Sequence, residues 1–531
     1  MAKKHFTWGI PVMVLVFGMM VVGCEVEEEK PNNTISYVTI SGTERMGSRL
    51  IATARTANGS SVTGVTWQWK RGDSASGTFI NIIGETFWDY NIVAADVGKF
   101  ILVEARNSDT NTPILSNVLG PIDSNQVATP AASPVGGEIA PGQRITLSTT
   151  TEYAQIYYTL DGSTPTSSSI AYSGQGVEIT ANSTLRAIAI AFIPGSMTNS
   201  EILTETYTIM PGISFSPVTS AVFNSTGIST VAYGDGQFVA AGGGIIAYSS
   251  NGTNWTSSSS SISSVNGIIH GGTRFVAVGS NGRIAHSSTG TSWTEYTSTS
   301  FETTRINSAA YGNSRFVAVG EDGKIAVIIE NTAGWSSNSW TGITAGIGTG
   351  RTQFSATSSI NDIAYGAGRF VAVGSGGQMA FSTDGQTWVA ITNSVLTGSI
   401  NSIAYGGVSG KEKFIAVGSN GLASSTDGLT WTRITTIFWL SESLMTVTWG
   451  DNKFIAGGSQ GVMVYSNADG SLWAKIEGGL GTGKSQFDTT GGLLPSSIND
   501  ITYGGGKFLA VGSNRSAMNP LTSSGEIAIS E

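Results

Sequence analysis

The chain has 531 residues, with 36 acidic side chains against 27 Lys and Arg, for a formal charge of −9. An acidic chain in which only 12% of residues are charged lacks the basic surface that nucleic acid requires, so no nucleic-acid partner is expected. A single cysteine excludes any internal disulfide, and stability has to come from burial, which a chain of this length can supply in several domains.

The first predicted element is a signal peptide. Lys3 and Lys4 precede an apolar stretch from Trp8 to Val22, which ends in Val21-Val22-Gly23-Cys24. The apolar run is short for a membrane span. Its end resembles the lipobox of bacterial lipoproteins, which implies cleavage after residue 23 and lipid on Cys24, the only cysteine. The thiol is then consumed as a thioether. Residues 24–33 form an acidic, polar tether. Loss of Lys3 and Lys4 takes the balance from 27 − 36 to 25 − 36, so the mature chain is near −11. The expected location is exported and lipid-anchored to a bacterial membrane, at the outer membrane or cell surface. With that charge, the lipid is the expected membrane contact.

Residues 34–122 read as an all-β unit. Val65-Thr66-Trp67-Gln68-Trp69 alternates as a strand, a polar loop runs from Lys70 to Thr78, and Ala94-Ala95-Asp96-Val97-Gly98-Lys99-Phe100 leads into another strand. This pattern resembles bacterial immunoglobulin-like surface domains, which implies a β-sandwich with Trp67 or Trp69 as its buried aromatic. Arg71-Gly72-Asp73 matches an integrin-binding triplet but reads as an ordinary polar hairpin. Residues 127–209 contain Ile156-Tyr157-Tyr158-Thr159-Leu160-Asp161-Gly162-Ser163-Thr164-Pro165-Thr166. That run resembles the C-terminal β-sandwich of chitobiase-type and fucosidase-type glycoside hydrolases. The resemblance implies an accessory module, a spacer or carbohydrate-associated unit, and carries over no catalytic residue. A rigid stalk is the expected role.

From residue 211 to 531 the chain repeats itself. A Tyr-Gly step, or its His-Gly or Trp-Gly variant, recurs at Tyr233, His270, Tyr311, Tyr365, Tyr405, Trp449 and Tyr503. A period of about 40–50 residues built of short strands predicts a β-propeller with one blade per repeat. Within a repeat, Ile360 to Tyr365, Arg369 to Gly374 and Gln378 to Ser382 are strands. Asp384-Gly385 is a tight turn, and Trp388 opens the fourth strand. Small Ala and Gly residues suit the crowded centre. The last repeat lacks its fourth strand, which Ile213 to Phe223 is expected to donate. Seven blades follow, with six or eight as alternatives. The predicted fold class is all-β: two β-sandwiches followed by a seven-bladed β-propeller.

Several motifs bear on chemistry. Ser382-Thr383-Asp384-Gly385-Gln386-Thr387-Trp388 and Ser425-Thr426-Asp427-Gly428-Leu429-Thr430-Trp431 resemble the Asp-box of sialidases and related propellers, each one residue short. The box implies a structural hairpin on the face away from a site. Arg274, Arg315 and Arg369 recur at one strand position and read as a solvated edge, not as a substrate triad. His270 and His286 offer neither metal spacing nor a nucleophile triad, so no metal, cofactor or catalytic residue is assigned. Gly478 to Ser485 has the spacing of a phosphate-binding loop but lies between blades, where no strand–loop–helix unit is expected. It has a sister: Gly346-Ile347-Gly348-Thr349-Gly350-Arg351-Thr352-Gln353-Phe354 beside Gly479-Leu480-Gly481-Thr482-Gly483-Lys484-Ser485-Gln486-Phe487. Both loops join a fourth strand to the next first strand, so both emerge on one face. Phe354 and Phe487 are candidate stacking groups, and Arg351 and Lys484 candidate polar contacts. Phe301, Phe438 and Trp439 are further loop aromatics that either bind or pin their own loops. The function expected is non-enzymatic binding of a glycan or protein partner by a monomer. The alternatives are a glycan-active hydrolase, which needs two carboxylates about 5–10 Å apart, and a purely structural envelope component.

Overall fold

The computed structural model describes residues 33–530 except 111, 192–196, 224–225, 259–261, 263, 331–333, 344–353, 356, 393, 436–441, 477–493 and 516–522. The described residues form strands and a few single-turn 3₁₀ helices.

The first sandwich has two sheets. One orders Tyr37–Ser41, Arg49–Arg55 and Asp89–Asn91; the other orders Phe79–Asn81, Thr66–Gly72, Phe100–Arg106 and Ile114–Leu115. Alternation sets the core face: Val38 and Ile40 point in, as do Leu50, Ala52 and Ala54. Of the two tryptophans, Trp69 is the buried one. It stacks on Tyr90 at 5.3 Å, and its indole donates to the Phe87 carbonyl at 2.8 Å, while Trp67 is half-buried. The fully buried Asp96 accepts from Arg71 Nε at 2.5 Å, Tyr90 OH at 2.6 Å and the Val93 amide at 2.8 Å. Arg71 is therefore committed to the interior and Asp73 pairs with Lys99 at 2.5 Å, so the Arg-Gly-Asp triplet is not a free loop.

The second sandwich places Val177–Glu178, Arg144–Ser148 and Ala131–Ser133 against a five-stranded sheet built around Ser183–Ala191. Asp161 makes the anticipated turn, its Oδ1 accepting from the Ser163 amide and hydroxyl. The chain leaves this sandwich directly into the ring. Met210 and Phe215 share one core with Ile455, Tyr465, Ile498 and Ala528, and Ala140 and Ile213 pack against it.

The ring consists of seven four-stranded antiparallel sheets. The first strands of consecutive blades lie side by side around the axis: Thr230–Gly234, Val265–Gly271, Ile306–Gly312, Ile360–Gly366, Ile400–Gly406, Leu444–Gly450 and Leu494–Gly504. Second strands such as Arg369–Gly374 are buried on both faces, because each blade is sandwiched between two others. Ile213 to Phe223 donates the missing strand: Phe215–Val218 runs antiparallel to Ser523–Ser530, in the register Phe215↔Ser530 to Val218↔Ile527.

The Tyr-Gly repeat has a packing cause. A Cβ on Gly366 would lie 2.0 Å from the Tyr405 ring, and one on Gly406 would lie 2.1 Å from Trp449. The same relation runs round the circle, and Gly504 receives Tyr233 of the first blade. Each glycine is the seat of the next blade's aromatic ring, which also packs on its own second strand, as Tyr365 does on Phe370 at 4.7 Å.

Because Phe215, Val218 and Phe223 are buried in the closing blade, the ring should need them. A chain beginning at residue 211 should unfold cooperatively, whereas one beginning at 225 should lose at least about 4 kcal/mol. Equal urea midpoints for the two would refute the shared blade.

Candidate binding sites on the ring

Four antiparallel strands per blade divide the connections between two faces. Turns joining the first to the second strand and the third to the fourth lie on one face. Turns joining the second to the third, and the links between blades, lie on the other.

The first face carries the Asp-box-like turns. Asp384 Oδ1 accepts from Ser382 Oγ at 2.9 Å and from the Gln386 and Thr387 amides at 2.8 and 2.7 Å, and Trp388 Nε1 donates to the Gly385 carbonyl at 3.1 Å. Asp427 repeats the arrangement. Partial burial works against its charged form, but the Thr430 and Leu429 amides outweigh it and bring the carboxyl down to about 2. Asn251 accepts the equivalent amides in the first blade. A role that Asn fills equally well is turn geometry, not acid–base chemistry.

The recurrent arginines differ from the expected solvated edge. They are half-buried against the following blade, because its third-to-fourth turn lies beside them. Arg315 Nη1 donates to the Asp384 carbonyl at 2.5 Å. Arg274 stacks over Trp335 at 4.5 Å, and the His286 ring lies 5.3 Å from the same indole. Burial, with Arg274 beside it, lowers the His286 pKa, so this histidine is neutral at pH 7.

The channel holds a polar belt that the repeat pattern did not reveal as such. Blades 2 to 7 carry a β-bulge near the start of the first strand. In five of them the extra residue is Asn: Asn266, Asn307, Asn361, Asn401 and Asn499. Their amides donate to the Ile306, Ile360, Ile400, Leu444 and Ile228 carbonyls of the next blade. The residue after the bulge links blades as well. Asp362 of blade 4 accepts from Ser308 of blade 3 at 2.6 Å and from the Ile403 amide of blade 5 at 2.9 Å. Asp500 of blade 7 accepts from Thr446 of blade 6 at 3.2 Å and from the Thr230 hydroxyl and Val231 amide of blade 1, both at 2.9 Å. Thr230 accepts from Ile268, and Ser402 from Val447. Gly267 supplies no side chain at the blade 2–3 junction. The recurrent Ile-Asn-[Ser/Asp] triplet was the available signal; attention to the small Ala and Gly residues of the centre missed it.

Of the residues proposed for ligand contact, Arg351, Lys484, Phe487, Phe438 and Trp439 lie outside the described residues, as does Cys24. Phe354 is corrected. It is 3% exposed and belongs to the core between blades 3 and 4, with Val319, Ile360 and Phe370. Its ring sits 2.7 Å from where a Cβ on Gly374 would be, so it wedges the loop's end into the ring and is not available for stacking. Phe301 is likewise fully buried, beside Trp335 and Trp340, and pins its own loop. A cleft of about 800 Å³ lies where the second sandwich meets blade 6, between Gln143 and Arg144 on one side and Tyr465, Leu472, Lys475 and Ile476 on the other. It depends on two domains meeting, and no local motif marks it.

Residues 134–204 match the family model described as chitobiase/beta-hexosaminidase C-terminal domain, in line with the resemblance carried by Ile156 to Thr166. No curated protein matches the chain. Among solved structures it is similar to YCF48 from Cyanidioschyzon merolae, at 13% identity over 60% of this chain and 98% of that one, with a TM-score of 0.42. It is also similar to the WD40 beta propeller domain of Doa1, at 11% identity, 61% and 97% coverage and a TM-score of 0.42. A structure of YCF48 bound to D1 peptide gives 14%, 60%, 96% and 0.42.

The belt predicts a pH dependence. Burial pushes the Asp500 carboxyl up to about 6, against the pull of its donors, and the charge of Asp362 adds to the rise. Asp362 is raised as well, by burial. A folded-state pKa above the unfolded one means that stability from this carboxyl is present below about pH 4. It is lost as pH rises to about 6, on the order of 3 kcal/mol. Asp500→Asn should remove that fall while leaving the Val231 amide poorly matched. Urea denaturation from pH 4 to pH 6 checks it: parallel curves for wild type and variant would contradict the assignment.

Proposed function

We propose that the chain is an exported, lipid-anchored, non-enzymatic binding protein. Its ring takes a protein or glycan partner at the channel mouth, on the face bearing the inter-blade links, and the sandwiches hold that face away from the membrane. The observation that supports this reading is a pairing of features on two blades. The longest links, residues 343–359 and 476–493, lead into blades 4 and 7, the two blades with a channel aspartate. The sister sequences continue into the strands as Ser358-Ser359-Ile360-Asn361-Asp362-Ile363 and Ser496-Ser497-Ile498-Asn499-Asp500-Ile501. Similar sequences thus precede similar belt positions three blades apart. Belt closure is met in other blades by Ser402 or Thr230, so the insertions answer to something beyond closure. The non-enzymatic reading is supported by the two carboxylates themselves: both accept hydrogen bonds from the ring's own amides and hydroxyls, which is the bonding of a clasp.

The test begins with a glycan array and an envelope pull-down using the mature protein. Arg351→Ala combined with Lys484→Ala should weaken the resulting interaction about tenfold or more, whereas Asp427→Asn on the opposite face should not. The reverse pattern would place the site on the Asp-box face and defeat the proposal. Anchorage has its own test: Cys24→Ser should release the protein from membranes or leave its signal uncleaved. Normal processing and lipid labelling of that variant would rule the anchor out.

A further inference from the structure

The first sandwich exposes an unusual amount of apolar surface at one edge. Ile83 is 97% exposed, Phe87 68%, Ile80 67% and Trp88 48%. All four lie on or beside the crossover that carries the chain from the edge strand Phe79–Asn81 of one sheet to the edge strand Asp89–Asn91 of the other. The crossover backbone is held in place: the Ile82 amide donates to the Trp69 carbonyl at 2.9 Å, the Trp69 amide to Glu85 at 3.0 Å, and the Ala52 amide to Trp88 at 2.8 Å. Its inward residues do the core work, since Ile82 packs on the core that contains Trp69 and Tyr90. The four outward residues take no part in that core. Large exposed apolar side chains gathered on one short crossover with a fixed backbone mark an interaction surface.

We infer that this edge is a membrane-contact surface, at which Ile80, Ile83, Phe87 and Trp88 enter the interfacial region of a lipid bilayer. The inference rests on the anchorage proposed above, and two observations fit a bilayer as the occupant. The first is reach. The described chain begins at Asn33, pinned by its side chain to Thr63 and through its carbonyl to Asn107. Residues 24–33 can extend at most about 30–35 Å, and a seven-residue strand of the sandwich spans about 23 Å. The edge therefore stays within tether range of the surface that holds Cys24. The second is charge. The mature chain is strongly acidic and cannot rely on anionic headgroups, yet this edge is locally close to neutral. Arg49 lies over the Trp88 ring at 5.0 Å and pairs with Asp89 at 2.8 Å, leaving Glu85 as the remaining charge on the crossover. An amphipathic indole beside Phe and Ile, with its neighbouring charges paired, suits the polar–apolar boundary of a bilayer.

The experiment uses the unacylated mature chain from residue 25, which retains every described residue, with phosphatidylcholine vesicles. The parent protein should co-sediment with vesicles at both low and high salt, because burial of apolar surface is not screened. Ile83→Ser combined with Phe87→Ser should reduce partitioning about tenfold or more, with an unchanged melting temperature because both side chains are exposed. Failure of the parent to co-sediment, or equal partitioning of parent and variant, overturns the inference. So does a parent dimer in sedimentation velocity that the variant abolishes, which would assign the edge to a second copy of the chain. Since no lipid is attached to the protein in this assay, its outcome is independent of the Cys24 test.

Discussion

The seating of one blade's aromatic ring on the previous blade's glycine is the contact on which the ring depends. It requires two residues at once: a ring that reaches sideways and a neighbour with no side chain to obstruct it. At Gly366 and Gly406 even a methyl group would fall about 2 Å from the incoming ring, so substitution there would push two blades apart rather than fill a gap. The relation is directional, each blade giving a ring and offering a seat, and such a chain of contacts ends only by closing on itself. Gly504 and Tyr233 make that last contact. His270 and Trp449 show that the requirement is for a flat ring of suitable size, not for a phenol.

The polar belt gives the seats their registry. Packing of flat rings on glycine tolerates sliding, whereas the Asn and Asp bonds at the channel allow one offset between neighbouring blades. Asp362 and Asp500 each tie three consecutive blades, 3–4–5 and 6–7–1. The cost is two carboxyls held where water is scarce, which is why their protonation is favoured relative to a free side chain. Stability has been traded for definition at the centre of the molecule, where all seven blades meet.

Much of this was legible in the chain. The seven ring-Gly steps, five of them Tyr-Gly, announced the blades because packing demands a flat ring and a glycine at every junction. The absent fourth strand of the last repeat pointed to its donor because an open sheet edge has to be covered. Function was less legible for equally physical reasons. Phe354 looked like a free loop aromatic because sequence does not distinguish a ring that leaves a loop from one that anchors it. Arg315 looked solvated because its partner, the Asp384 carbonyl, is 69 residues away on another blade. The belt aspartates passed unremarked because Asn-Asp in a strand carries no chemistry until seven strands are arranged in a circle.

The closure strand also sets the order in which the molecule can be made. Phe215–Val218 pairs with Ser523–Ser530, so the ring's first segment must wait for its last. Pairing so distant in sequence is slow, since chain entropy is lost before the contact repays it. Throughout that interval Phe215 and Phe223 lack their cover, and blade 7 presents a bare edge. The nascent ring is thus an open arc with a sticky end, the kind of intermediate that chaperones engage, and it becomes resistant only when residues 523–530 have been made and the two ends of the arc meet.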